Sequence, residues 1–170
     1  VVELVTAVLV TAAAGLAVSA LPRGWSAAGW AALVAFGVCS VADVALPMRC
    51  APSWEPGCPE DNLAHTMTSG LVHFTLFASM AAFILCARSA PGGGRRAGRW
   101  AHWLLPVSMA AAVSSAGSYI GCPGGHGIAQ RVHLCRVGLW FWLLAAEGYG
   151  SGRARTPDGS QVPAASGRVW

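Results

Sequence analysis

Residues 66–87 read TMTSGLVHFTLFASMAAFILCA, a run without a single Asp, Glu, Lys or Arg. A helix rises about 1.5 Å per residue, so a run of this length reaches the roughly 30 Å of a bilayer's hydrocarbon layer. Its apolar residues come in a block rather than in alternation. Backbone amides and carbonyls cannot stay unpaired in lipid, so such a block is expected to be a helix. A soluble helical bundle offers no good reason for a charge-free run this long.

Four further blocks resemble it, at about 3–21, 26–46, 101–119 and 128–147. The second and third of the chain's five blocks are separated by a polar stretch, Pro47 to about Ala64. Composition agrees with the pattern. The 170 residues are 55% hydrophobic and only 11% charged, where a soluble domain carries about a quarter. Mean hydropathy is +0.53. Abundant Ala and Gly suit closely packed membrane helices, whose backbones approach through small side chains. The expected fold is all-α, a multi-pass transmembrane bundle with five helices over residues 1–149. The Gly/Ser/Pro/Arg-rich residues 150–170 are expected to be a disordered cytoplasmic tail. The first block lacks a basic leader and is too long for a usual signal peptide, so it is expected to be retained.

Charge gives the orientation. Eleven arginines and no lysine account for the basic balance. Arg88, Arg95, Arg96 and Arg99 surround one loop, and Arg153 and Arg155 follow the last block. Arginines at segment ends indicate cytoplasmic flanks rather than a nucleic-acid surface, so no nucleic-acid partner is expected. The loop after Pro47 and the GCPGGHG turn then face outward, and the C-terminus is cytoplasmic. This places the N-terminus outside. With no initiator methionine in VVELVTAVLV, a preceding segment, up to one helix, is expected to be missing.

Polar side chains within the blocks are few, and such residues are costly in a membrane. Asp43 lies near the outer end of the second block. His65, Ser69 and His73 follow at four-residue intervals, a drifting stripe about 12 Å long. The fifth block begins GHGIAQRVHLCR, with His126, Gln130, Arg131, His133 and Arg136. Arginine cannot escape burial by losing a proton, so an Asp43–Arg131 or Asp43–Arg136 pair is the leading structural expectation. The competing catalytic reading uses Asp43, Ser69, His73 and His133, with Ser69 as nucleophile and His73 as base. His65, His126, Gln130, Arg131 and Arg136 are the ligand-binding candidates. His65, His73, His126 and His133 are also candidate ligands for zinc, although no HExxH or close cysteine pair supports a metal. Cys39, Cys86 and Cys135 read as apolar fillers. Of the outer cysteines, Cys50–Cys58 is the favoured disulfide, with a bond from either to Cys122 left open.

Three stretches, SVADVALPMRC, HTMTSGLVHF and GIAQRVHLCRVGLWFWLLAAE, resemble the DUF998 family of bacterial integral membrane proteins, common in actinobacteria. The resemblance covers about residues 3–147. It implies a six-helix bundle with an inward N-terminus, so the first block would be the family's second helix, and it implies the bacterial cell membrane. It lends no activity to any residue. The Ser69–His73 spacing is also similar to that of metal-dependent membrane hydrolases related to alkaline ceramidases. Their later HxxxH is absent here, since His126 and His133 are seven apart.

Three functions remain after these readings. The main expectation is an outward-facing polar pocket that binds a lipid or envelope component. The alternatives are a membrane-embedded hydrolase or transferase, with or without a metal, and a small transporter subunit. Membrane lipids are the expected partners, alongside a membrane-protein partner or a second copy.

Overall fold

Each apolar block becomes a helix, and α3, α5 and the start of α4 extend past their blocks into polar flanks. The computed structural model describes residues 2–20, 24–47, 62–89, 96–115 and 126–153. The helices are α1 (Val2–Ala20), α2 (Trp25–Ala45), α3 (Leu63–Ser89), α4 (Arg96–Ser115) and α5 (His126–Arg153). Hydropathy detects the part of a helix that suits lipid, not its hydrogen-bonded ends. This explains why α4 starts at Arg96, within the charged flank, and why α5 runs on to Arg153. The Cys50–Cys58 pair, Cys122 and residues 154–170 lie outside the described residues.

Two ends show how the chain fixes the helices locally. Gly24 precedes α2 with φ of 105°, a conformation that costs glycine little and a Cβ-bearing residue much more. Asn62 precedes α3, and its Oδ1 accepts the His65 backbone N–H at 3.3 Å. That side-chain cap satisfies one of the orphan amides of the first turn. The Asn62 Nδ2 also donates to the Pro47 carbonyl at 3.3 Å, tying the start of α3 to the end of α2.

Successive helices pack on one another: α1 on α2, α2 on α3, α3 on α4 and α4 on α5. Contacts fix the antiparallel sense. The end of α2 meets the start of α3 through Asp43 and Ser69, and the start of α4 meets the end of α5 through Ala97 and Glu147. Leu76, Ser79, Met80 and Phe83 are buried at the i, i+3, i+4, i+7 spacing of one helical face of α3, and Ala82 is buried beside them. The Phe83 ring lies edge-on between Trp30 of α2, 5.6 Å away, and Trp140 of α5, 5.5 Å away. These edge-to-face contacts bring α2, α3 and α5 together. Glycine lets them approach: a Cβ on Gly29 would lie 2.6 Å from the Phe83 ring.

The outside of the bundle is apolar as well. Leu9, Val38, Leu71, Phe74, Val113, Ile128, Leu134 and Trp142 are all exposed large hydrophobics. Helices apolar on both faces are expected where lipid, not water, surrounds them. Among the described residues, α2 and α3 are long and apolar enough to cross a membrane. Only 28% of the apolar window of α3 is buried inside the bundle, unlike the core helix of a soluble protein.

Candidate functional site

The end of α2 and the start of α3 build a polar cluster in the bundle. Asp43 projects from the last turn of α2. Its Oδ1 accepts a hydrogen bond from the Thr68 hydroxyl at 2.8 Å and from the Ser69 hydroxyl at 2.7 Å. The His65 Nδ1 lies 3.3 Å from the same oxygen and 3.0 Å from the Leu46 carbonyl. Both neighbours are acceptors, so the favoured neutral tautomer carries its proton on Nδ1. The other ring nitrogen, Nε2, is then a lone-pair acceptor, 3.5 Å from the Ser69 Oγ. His65 and Ser69 meet because i and i+4 are neighbours on a helix. The side chains of Asp43 and His65 are about three-quarters shielded, at 27% and 22% exposure.

Two further imidazoles form a neighbouring group. His73 Nδ1 donates to the Ser69 carbonyl at 2.7 Å. Its ring stacks on His133 of α5, with centroids 4.9 Å apart and planes at 24°. His133 is buried, and its Nδ1 lies 3.0 Å from the Ser108 hydroxyl and 3.2 Å from the Ser108 carbonyl of α4. Phe77 packs edge-on against His133, at 6.2 Å. The group joins α3, α4 and α5, and the Ser69 backbone links it to the Asp43 cluster.

The geometry departs from the sequence expectations at specific residues. The imidazole facing the Ser69 hydroxyl is that of His65, because His73 folds back onto its own helix. The Asp43–Arg131 and Asp43–Arg136 pairs are not formed: Asp43 is engaged by α3, its direct packing neighbour. Gln130 and Arg131 are exposed and Arg136 is half-buried on α5. His126 opens α5, but its side chain lies outside the described residues. Thr68 and Ser108 are the contributors that sequence reasoning passed over. Thr68 carried a weak signal, a hydroxyl beside Ser69. Ser108 carried none that separated it from other small residues of its block.

Zinc is poorly served here. Among the described residues no group of three His, Cys, Asp or Glu side chains comes together to hold a metal ion. His73 and His133 present ring faces to each other, and each Nδ1 is occupied by a serine. Converging imidazole lone pairs are what a zinc site requires.

A bundle of apolar-faced helices enclosing an Asp–Ser–His cluster defines an all-α membrane protein with a candidate catalytic or binding site. The particular family follows from comparison: the one described as "Protein of unknown function (DUF998)" matches residues 2–147, and the chain belongs to it. No curated protein and no solved structure matches the chain.

Proposed function

We propose that this protein is a membrane-embedded hydrolase or acyl transferase acting on a lipid ester, with Ser69 as nucleophile. The carrying observation is the arrangement around one hydroxyl: Ser69 Oγ has Asp43 Oδ1 at 2.7 Å and His65 Nε2 at 3.5 Å. A serine is a weak nucleophile until a base takes its proton. Rotation about the Cβ–Oγ bond turns that proton from Asp43 toward His65. Catalytic hydrogen bonds are often long before substrate binds.

In the proposed reaction, Ser69 Oγ bonds to the ester carbonyl carbon as its proton passes to His65 Nε2. Collapse of the tetrahedral adduct breaks the carbon–oxygen bond to the leaving alcohol, which takes the proton from His65. Water or a second alcohol then attacks the acyl-serine, giving its proton to His65, and the Ser69 oxygen leaves with it. Asp43 holds the His65 ring and stabilises its charged form, as the third member of such triads does. Thr68 helps fix the carboxylate, and His73 fixes the backbone that carries Ser69. No step uses a metal.

We infer that all five helices cross a bacterial cell membrane, with the Asp43 cluster at the outer side and the C-terminus cytoplasmic. Ser69 and Arg88 are about 28 Å apart along α3, near the thickness of the hydrocarbon layer. A second reading, binding of an anionic lipid without turnover, is favoured by Arg131 and Arg136. Neither makes an ion pair among the described residues, and a lipid phosphate near the cluster would balance them.

The deciding experiment incubates the purified chain with a fluorophosphonate probe and with short-chain phospholipid esters. The proposal expects a covalent adduct on Ser69 and ester turnover, both lost in Ser69→Ala. Lipid bound without an adduct or turnover would establish the binding reading instead.

A further inference from the structure

At the opposite end of α3 from Ser69, a second polar feature opens between α3 and α4. A cavity of about 330 Å³ is lined by Ile84, Ala87, Arg88, Gly98, Arg99 and His102. Its floor exists because Gly98 brings the helices together. A Cβ there would lie 2.5 Å from the Ala87 Cβ and 2.6 Å from the Phe83 carbonyl oxygen. Arg99 and His102, three residues apart on α4, share a face, and Arg88 approaches from the last turn of α3. Among the described residues no carboxylate lines the cavity. Neither arginine makes an ion pair among the described residues. The neighbouring acid, Glu147, accepts the Ala97 backbone N–H at 2.8 Å and is not a lining residue. Exposed Trp100 and Trp103 lie on the adjoining stretch of α4. Tryptophans in such positions mark the headgroup level of a bilayer.

We propose that this cavity binds the phosphate of an anionic membrane lipid. The two guanidiniums supply charge and directional donors to the phosphate oxygens, and His102 adds a third polar group. Ile84 and Ala87 receive the glycerol and the upper acyl chain. The mixture of basic rim and apolar floor distinguishes a lipid from a free anion, which would gain nothing from the floor. The site is separate from the Ser69 cluster and does not depend on its chemistry.

Native mass spectrometry of the full chain, in micelles containing phosphatidylglycerol and phosphatidylcholine in equal amounts, tests this. Preferential retention of phosphatidylglycerol is expected. Arg88→Gln and Arg99→Gln are each expected to lower the preference about fivefold, the effect of one arginine near an anionic lipid surface. The double variant should abolish it, with an unchanged circular dichroism spectrum. Arg96→Gln removes the same charge from the same end but does not line the cavity, and should leave the preference intact. Equal retention of the two lipids would overturn the proposal. So would an equal loss in Arg96→Gln, which would assign the preference to general surface charge. Displacement of the retained phosphatidylglycerol by millimolar inorganic phosphate would overturn the lipid as the occupant.

Discussion

The Ser69 hydroxyl donates to the Asp43 Oδ1 at 2.7 Å, joining the first turns of α3 to the last turn of α2. Thr68, one residue earlier, donates to the same oxygen at 2.8 Å. A single carboxylate oxygen thereby anchors two side chains of the neighbouring helix. This relationship has structural and chemical consequences that substitutions separate.

Asp43→Asn keeps an acceptor oxygen where both hydroxyls point but removes the charge. Its thermal unfolding in detergent should change little, whereas ester turnover under the proposed mechanism should fall about 100-fold or more. Asp43→Ala also takes the close acceptor from Ser69, whereas Thr68 falls back on the His65 and Ala64 carbonyls at 2.9 and 3.1 Å, and it should cost a further 1–2 kcal/mol or so of stability. Equal turnover in Asp43→Asn and the parent would remove Asp43 from the chemistry.

The two histidines of α3 should behave differently. His65→Gln removes the ring whose Nε2 faces Ser69 Oγ, and kcat should drop by about 10²–10⁴, as expected for a lost general base. His73→Gln removes a ring held on the Ser69 carbonyl, so a much smaller loss is expected. Steady-state kinetics on the same ester decides the assignment, and the reverse ranking would return His73 to the role of base.

Ser108→Ala tests the buried link between α4 and α5. The Ser108 hydroxyl is 3.0 Å from His133 Nδ1, and the Ser108 carbonyl remains as a second partner after the change. The loss should therefore be modest, about 0.5–1.5 kcal/mol by equilibrium unfolding. Replacing His133 by Ala should cost more, because it also removes the stacked ring and leaves a cavity.

Glycine substitutions should divide by their surroundings. Gly29→Ala drives a methyl group to within 2.6 Å of Phe83, which is 1% exposed and cannot yield easily. A loss of about 1–3 kcal/mol is expected from such overpacking. A Cβ on Gly138 meets nothing within 4 Å. Gly138→Ala should be neutral or stabilising by less than about 1 kcal/mol. Melting temperatures of the two variants, measured side by side, check the contrast.

The sequence by itself determined that the chain is helical, roughly where five helices lie, and that Asp43, His65 and Ser69 gather toward one end. Those properties are local: a charge-free run such as 66–87 must pair its own backbone, and a four-residue interval must put His65 beside Ser69 on one helix. Its resemblance to a family was also legible, because SVADVALPMRC, HTMTSGLVHF and GIAQRVHLCR are contiguous stretches. Helix ends were less legible, since the residues that fix them, such as Asn62 before α3 and the Ala97 amide in α4, act through hydrogen bonds rather than burial. Only the tertiary structure decided that Asp43 meets Thr68 and Ser69 instead of Arg131 or Arg136. It alone turned His73 away from the Ser69 hydroxyl, stacked it on His133 and brought Ser108 to the Nδ1 edge of His133. The reason is geometric: partners across helices depend on each helix's rotation and axial offset. Those are set by distant contacts, among them Phe83 between Trp30 and Trp140, that no local pattern records.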